Sequence, residues 1–168
     1  YHLEKVKGQY ELTFEGSWPE GMSWEVPALS VLMELRGRAV LDTMDRFELQ
    51  ILYARAMTKL WEKIEKLKGL KNLKIADFGT RRRHSYLWQD WSVQAMQEGL
   101  GESFIGTSNC SIAMKRDIEA IGTNAHELPM VYCALAESDE ELAMAPYKVL
   151  EDWREEHDGN LRIILPDT

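Results

Sequence analysis

Three short apolar segments of the chain each end at a Gly-Thr pair that leads into a helix-like stretch. They occupy residues 73–78, 103–106 and 118–122, and their turns read "FGTRRR", "IGTSN" and "IGTNAHE". A fourth apolar segment, residues 161–165, is followed by "PDT". Short strands that alternate with helices form right-handed parallel βα units. This pattern predicts an α/β chain, either an open doubly wound sheet or part of a βα barrel.

The residues before this pattern predict different elements. Residues 1–15 alternate between polar and apolar side chains, which indicates one or two exposed antiparallel strands. Residues 26–40 are typical of a helix with Pro27 in its first turn. Apolar residues at spacings of three and four predict a longer helix over residues 44–68. Later helices are predicted at about 84–98, up to 116, up to 136 and over 139–156.

The charge balance limits the classes of partner. The chain has 168 residues, 28 of them acidic and 20 basic, for a net charge of -8. Nucleic acids and anionic membranes both attract net basic surfaces, so we expect neither as a partner. The two cysteines, Cys110 and Cys133, match no zinc motif and predict no disulfide framework, which favours a reducing compartment such as the cytoplasm.

The Gly-Thr turns are candidates for a ligand site. In parallel βα folds, ligands bind beyond the carboxyl ends of the strands, where helix N-termini favour anions. Glycine lets a ligand approach the backbone, while Thr, Ser and Asn offer hydrogen bonds and helix caps. The turns therefore predict a phosphate or carboxylate site, with helix capping alone as the alternative.

Arg81, Arg82 and Arg83 directly follow the first turn. Arginine donates paired hydrogen bonds to carboxylates and phosphates. We expect one or two of these side chains to face the ligand and another to pair with a surface acid. Three arginines that only face solvent are the alternative.

His126 stands in "NAHELP", close to a proline. A helix tolerates proline only in its first turn, so Pro129 predicts that His126 lies at a helix entrance. Glu127 is placed to orient the imidazole. A purely structural histidine is the alternative. We expect no metal bound by this pair, because the zinc-protease spacing would need a second histidine where Met130 stands.

Four stretches, in this order, resemble the nicotinate phosphoribosyltransferase family. They read "ADFGTRRRHSYLWQD", "FIGTSNCSIAMK", "IGTNAHELPM" and "LRIILPDT". The resemblance implies part of an irregular parallel βα barrel of the type II phosphoribosyltransferase kind. It also implies that residues 1–20 end a separate N-terminal region and that residues 21–168 are a partial barrel domain. Because the chain begins without Met and stops after an apolar segment, we expect it to be a central fragment of a longer protein.

The resemblance implies a reaction as well as a fold. Nicotinate and 5-phosphoribosyl 1-diphosphate would give nicotinate mononucleotide and diphosphate, with coupled ATP hydrolysis, in NAD biosynthesis. An enzyme of this kind belongs to the ligase class and transfers a pentosyl group. The implied cofactors are ATP and Mg²⁺, and the implied assembly is a homodimer of the full-length protein.

Single residues match roles known in the family. His126 matches the histidine that ATP phosphorylates. The matches to ligand contacts are Phe78 against the pyridine ring, Arg81 in the ligand site, Thr123 at nicotinate, Ser108 in the neighbouring loop and Asp167 near the ribose hydroxyls. The candidate catalytic residues are therefore His126, Glu127 and Asp167. The candidate substrate-binding residues are Phe78, Thr80, Arg81, Arg83, Thr107, Ser108, Asn109 and Thr123.

Two other functions remain open. Another type II phosphoribosyltransferase would use nicotinamide or quinolinate. Related nicotinamide enzymes carry a shorter basic run after "DFG" and an acid where this chain has Ser108, so the resemblance favours nicotinate. A non-catalytic module that binds nucleic acid through the arginines is disfavoured by the acidic charge.

Overall fold

The computed structural model describes residues 1–157 and 163–165, in two compact units, Tyr1–Glu119 and Ala120–Thr168. The strands are β1 (His2–Val6), β2 (Gln9–Thr13), β3 (Ile75–Asp77) and β4 (Phe104–Thr107). The helices are α1 (Trp18–Met22), α2 (Glu25–Leu41), α3 (Arg46–Lys68), α4 (Tyr86–Leu100), α5 (Cys110–Arg116), α6 (Glu127–Leu135) and α7 (Asp139–Glu156). No helix in the described ranges has the length and hydropathy needed to cross a membrane. The domain boundary expected between residues 20 and 21 stays a prediction.

The first unit opens with an antiparallel hairpin, as the alternating sequence predicted. β1 pairs with β2 in a register that runs from His2↔Thr13 to Val6↔Gln9. The two residues between the strands, Lys7 and Gly8, have φ angles of 49° and 84°. Positive φ at both positions gives a tight turn whose twist matches the strands, and glycine adopts it without steric cost.

Local signals set the ends of α3. The Asp45 carboxylate accepts hydrogen bonds from Phe47 N and Glu48 N, both at 2.8 Å, and Glu48 Oε2 accepts from Asp45 N at 2.9 Å. This reciprocal capping box satisfies backbone donors at the helix start. The predicted long helix is confirmed within two residues at its start, and Pro27 lies in the first turn of α2 as expected.

The core of the first unit lies where α3 packs on α4 and on the parallel strands. Its buried cluster is Ile64, Val93, Ala95, Leu100, Phe104 and Ile112. β3 pairs in parallel with β4, with Asp77 opposite Thr107 at the carboxyl end. α4 connects the two strands, since parallel neighbours need a crossover. The predicted βα unit at residues 73–106 is therefore confirmed.

The strand predicted at residues 118–122 is reduced to a single β-bridge at Ala120 among the described residues. One backbone hydrogen bond, from Thr107 N to Glu119 O at 3.1 Å, joins the segment to β4. A short apolar run indicates burial and does not by itself fix how far the strand extends. The strand predicted at residues 161–165 is not observed at 163–165, and residues 161 and 162 lie outside the described ranges.

The second unit is built on α6 and α7, which pack against each other. Pro129 of α6 is buried, as are Ala145 and Val149 of α7. Tyr132 Oη donates to Asp152 Oδ2 at 2.7 Å and links the two helices. This hydrogen bond raises the pKa of Tyr132, because it favours the protonated phenol.

Candidate active site

Asp77 lies at the carboxyl end of β3 and accepts four hydrogen bonds. Its Oδ2 accepts from Gln89 Nε2 and from Thr107 Oγ1, both at 2.7 Å. Its Oδ1 accepts from Gly79 N at 3.1 Å, and its backbone oxygen accepts from Ser108 N at 2.8 Å. Asp77 therefore ties the ends of both parallel strands to α4.

Gln89 is the second centre of hydrogen bonding and is only 3% exposed. Its Nε2 also donates to Thr80 Oγ1 at 3.1 Å. Its Oε1 accepts from Arg83 Nη1 at 3.1 Å and from Asn109 Nδ2 at 3.2 Å. The loops after β3 and β4 are thus held together through one buried amide. The polar cluster, as we name it, comprises Asp77, Thr80, Arg83, Gln89, Thr107 and Asn109.

Arg83 is half-buried and is held on two sides. Its guanidinium carbon lies 5.3 Å from the centre of the Tyr86 ring, a cation–π distance. Its Nη1 donates to Gln89, as described. Its Nε is buried and has no acceptor among the described residues. Two contacts therefore orient the guanidinium, and its one buried donor stays unsatisfied.

The other arginines of the run have different surroundings. Arg81 Nη1 pairs with Glu25 Oε1 from the first turn of α2, and Arg82 is exposed. Phe78, the predicted ring-stacking residue, is 47% exposed. Phe78 therefore presents an aromatic surface beside the arginine run.

The loop after β4 is fixed by its own side chains. Thr107 is fully buried, and its Oγ1 accepts from Asn109 N at 3.1 Å. Asn109 Oδ1 accepts from Ile112 N at 3.2 Å and caps α5. Ser108 is half-buried between them. Capping, the alternative to ligand binding, therefore accounts for part of what these residues do.

The remaining predicted residues belong to the second unit. Thr123 Oγ1 donates to Asn124 O at 2.8 Å. His126 is exposed and directly precedes α6, which confirms its predicted place at a helix entrance, and Glu127 begins that helix. Asp167 lies outside the described residues. The expectation that these residues share one site with the polar cluster stays a prediction.

Two acidic side chains support the elements around the cluster. Asp90 is buried on α4 and bonds Lys115 Nζ at 2.6 Å and Arg116 Nε at 2.5 Å, which ties α4 to α5. Burial by itself raises the pKa of Asp90, but the hydrogen bonds from Arg116 and Lys115 outweigh it and hold the pKa below its usual value.

Glu34 of α2 supports the start of α4. Its Oε2 accepts from Tyr86 N at 2.7 Å, and its Oε1 accepts from Arg38 Nη2 at 3.1 Å. Burial raises the pKa of Glu34, but these hydrogen bonds lower it by more. A side chain on Gly37 would place its Cβ 2.6 Å from His84 O, so glycine lets α2 approach the end of the arginine loop.

A sequence model of the nicotinate phosphoribosyltransferase (NAPRTase) family matches residues 73–168, more than half of the chain. The chain belongs to this family. The matched range contains the polar cluster, the arginine run and His126.

Solved members of the NAPRTase family have the same fold. A nicotinate phosphoribosyltransferase from Porphyromonas gingivalis is 26% identical with a TM-score of 0.65, and the match covers 95% of this chain and 38% of that one. The enzyme from Vibrio cholerae is 27% identical with a TM-score of 0.65, covering 89% of this chain and 35% of that one. This chain thus spans little more than a third of those relatives. The expected α/β class is confirmed, as a partial α/β domain of this family.

Sequence reasoning missed two members of the NAPRTase polar cluster, Asp77 and Gln89. A signal for Gln89 was present, because it lies four residues before Val93 and eleven before Leu100, in the buried stripe of α4. A polar residue in such a stripe needs buried partners. Asp77 ends an apolar strand directly before "FG", where a carboxylate is unusual without a donor.

Proposed function

We propose that the protein containing this chain is a nicotinate phosphoribosyltransferase of NAD biosynthesis. Its substrates would be nicotinate and 5-phosphoribosyl 1-diphosphate. The observation that carries the proposal is the coincidence of the family match with the polar cluster. The cluster lies at the carboxyl ends of β3 and β4, where parallel βα folds bind ligands, and contains an arginine with a buried, unsatisfied donor.

Phosphoribosyl transfer requires cationic side chains and hydrogen-bond donors that are held in position. The pyridine nitrogen of nicotinate attacks the anomeric carbon of the ribose, and the bond from that carbon to the diphosphate oxygen breaks. Diphosphate leaves with the electron pair, while positive charge develops on the ribose ring. Arg81 and Arg83 would stabilise the carboxylate or phosphate oxygens, and Phe78 would stack on the pyridine ring. Hydrogen-bond donors that are already in position lower the activation barrier, because they need no reorganisation during the reaction.

Magnesium fits this proposal as a partner of the diphosphate. Among residues 1–157 and 163–165, no group of three or more His, Cys, Asp or Glu side chains could hold a metal ion. Mg²⁺ in phosphoryl sites takes most ligands from phosphates and water, with one or two carboxylates. Bound in this way, it would neutralise charge on the leaving diphosphate.

ATP would act through His126. The exposed imidazole at the entrance of α6 is accessible to a nucleotide. A ring nitrogen would attack the γ-phosphorus, and ADP would leave. The phosphoryl group adds about one to two negative charges and strong acceptors. We expect phospho-His126 to reorganise nearby loops so that 5-phosphoribosyl 1-diphosphate binds better, with Glu127 orienting the ring. A cytoplasmic homodimer with Asp167 near the ribose hydroxyls completes the proposal.

Product formation in the intact protein is the first test. We expect nicotinate mononucleotide from nicotinate and 5-phosphoribosyl 1-diphosphate, with faster turnover when ATP is present. Arg81→Ala and Arg83→Ala should each raise the KM for nicotinate or for 5-phosphoribosyl 1-diphosphate. Arg82→Ala, at the exposed position, should resemble wild type. Equal activity with nicotinamide would contradict the nicotinate assignment. Release of CO₂ from quinolinate without ATP stimulation would favour that alternative substrate.

The phosphohistidine has its own test. Incubation with γ-labelled ATP should leave an acid-labile, base-stable label on wild-type protein and none on His126→Asn. His84→Asn, at an exposed histidine beside the arginine run, is the matched control and should keep the label. Absence of label on the wild type, or label retained by His126→Asn, would reject this step.

The preference for an acid over an amide can be tested at Ser108. Ser108→Asp places a carboxylate in the loop after β4, where it would repel nicotinate and raise its KM. Ser111→Asp, at an exposed position of α5, adds the same charge outside that loop and should leave KM near wild type. Unchanged nicotinate kinetics in Ser108→Asp would contradict this placement of the loop.

A further inference from the structure

The buried amide of Gln89 uses all of its hydrogen-bonding capacity. A primary carboxamide has two donor hydrogens and two acceptor lone pairs. The donors of Gln89 go to Asp77 Oδ2 and Thr80 Oγ1, and its oxygen accepts from Arg83 Nη1 and Asn109 Nδ2. Thr80 Oγ1 also lies 3.5 Å from that oxygen. No other group of the cluster joins as many members.

The chemistry of the neighbours fixes which way this amide points. An ionised Asp77 carboxylate only accepts, so it must face the nitrogen of Gln89. The Arg83 guanidinium and the Asn109 nitrogen only donate, so both must face the oxygen. Glutamate would offer no donor at neutral pH, and asparagine is one methylene shorter. Glutamine therefore supplies both a donor to Asp77 and an acceptor for Arg83 and Asn109.

Within the polar cluster, Arg83 is the side chain whose orientation depends most on the amide of Gln89. Gln89 holds Nη1, and the Tyr86 ring supports the face of the guanidinium. The buried Nε has no acceptor among the described residues, which leaves a desolvated donor for a ligand. An unsatisfied buried donor is destabilising, so an anion that accepts from it gains that interaction.

We propose that Gln89 is a positioning residue that aims Arg83 at an anionic group of the substrate. The proposal rests on the proposed function and deepens it. The recognised chemistry is a carboxylate or phosphate oxygen, carried by nicotinate or by 5-phosphoribosyl 1-diphosphate. Gln89 is too deeply buried to contact the substrate itself, so its effect passes through Arg83, whose Nη1 it holds.

Kinetics of the intact protein separate positioning from folding. Gln89→Asn should raise KM for one of the two anionic substrates by about tenfold or more, because small displacements of binding groups are costly. The substrate whose KM rises identifies the anion. Partial unfolding would lower kcat per mole of protein and leave KM unchanged. Gln97→Asn, at an exposed position of the same helix, is the matched control and should resemble wild type.

A second variant uses pH as the readout. In Gln89→Glu, the new carboxyl faces Asp77, and one shared proton restores a donor between them at low pH. At higher pH the two carboxylates repel each other, while Arg83 Nη1 pairs only with the oxygen of the new side chain that points away from Asp77. KM of this variant should therefore rise with pH relative to the KM of wild type and of Gln97→Glu. This variant keeps the length of the side chain and serves if Gln89→Asn does not fold.

The outcomes distinguish the two proposals. Failure of the wild type to form nicotinate mononucleotide would reject the proposed function. The role of Gln89 is then decided by calorimetric titration with nicotinate and, separately, with inorganic diphosphate. Weaker binding of either anion by Gln89→Asn than by Gln97→Asn would support positioning. Equal binding by the two variants, no binding by wild type, or an active Gln89→Asn with both KM values unchanged would overturn it.

Discussion

Asp77 and Thr107 lie directly opposite each other at the carboxyl ends of β3 and β4, and Thr107 Oγ1 donates to Asp77 Oδ2 at 2.7 Å. A second bond, from Ser108 N to Asp77 O at 2.8 Å, lies beside it. These two bonds therefore hold together the starts of the loops that follow β3 and β4. Residues that position the candidate site also hold the sheet together, so substitutions there affect both stability and binding.

Thr107→Val tests the lock between the strands. Valine is close to threonine in shape but removes a buried hydroxyl, so Asp77 loses a donor and Asn109 N loses an acceptor. We expect a loss of about 1–3 kcal/mol in the free energy of unfolding, measured with urea. Thr58→Val, at an exposed position of α3, should change it by less than about 0.5 kcal/mol. Equal effects of the two substitutions would contradict a structural role for the hydroxyl.

Gly99→Ala tests the packing of α4 on α3. A methyl group at this position would collide with Ile64 Cγ2 and lie 3.1 Å from Trp61 Cζ3. Alanine favours helix by about 1 kcal/mol over glycine, but overpacking a core costs about 1–3 kcal/mol. We expect a lower melting temperature for Gly99→Ala and no decrease for Gly21→Ala, where a methyl group would meet nothing within 4 Å. A more stable Gly99→Ala would show that the helices separate easily.

Asp90 predicts a specific acid sensitivity. Its pKa in the folded protein lies below the usual value of 3.8, because hydrogen bonds from Arg116 and Lys115 outweigh the effect of burial. The ionised carboxylate therefore stabilises the fold above that usual value, and this stabilisation disappears as the pH falls through the lowered pKa. Asp90→Asn should be less stable than wild type at neutral pH and should lose less further stability below about pH 4. Urea unfolding at pH 3 to 7 would measure the free energy of unfolding of both proteins. The same dependence on pH in wild type and Asp90→Asn would contradict the prediction.

Glu25 predicts competition for Arg81. Its carboxylate pairs with the guanidinium that the proposed function assigns to an anionic substrate. Exposed ion pairs contribute about 0.2–1 kcal/mol, so Glu25→Gln should lower KM for that substrate by up to about fivefold. Glu62→Gln, at an exposed site on α3, removes the same charge elsewhere and should have little effect. A higher KM in Glu25→Gln would instead show that Glu25 orients Arg81 for binding.

Local patterns predicted the helices well because a helix satisfies its own backbone. The long amphipathic helix was expected at residues 44–68 and is found at Arg46–Lys68, and α7 spans Asp139–Glu156 as expected. The strand predicted at residues 118–122 is reduced to a single β-bridge at Ala120 among the described residues. Strands depend on hydrogen bonds to a partner, and a single sequence carries little information about that partner.

The sequence by itself determined the order of the elements, the βα unit with its Gly-Thr turns, the family and the position of His126 at a helix entrance. Only the tertiary structure decided that Asp77 and Gln89 are the centres of the polar cluster, and that Arg83 is held while Arg82 is exposed. The physical reason is distance along the chain. Asp77, Gln89 and Thr107 lie on three separate elements, and their hydrogen bonds form only when α4 packs against β4 and brings buried donors to buried acceptors.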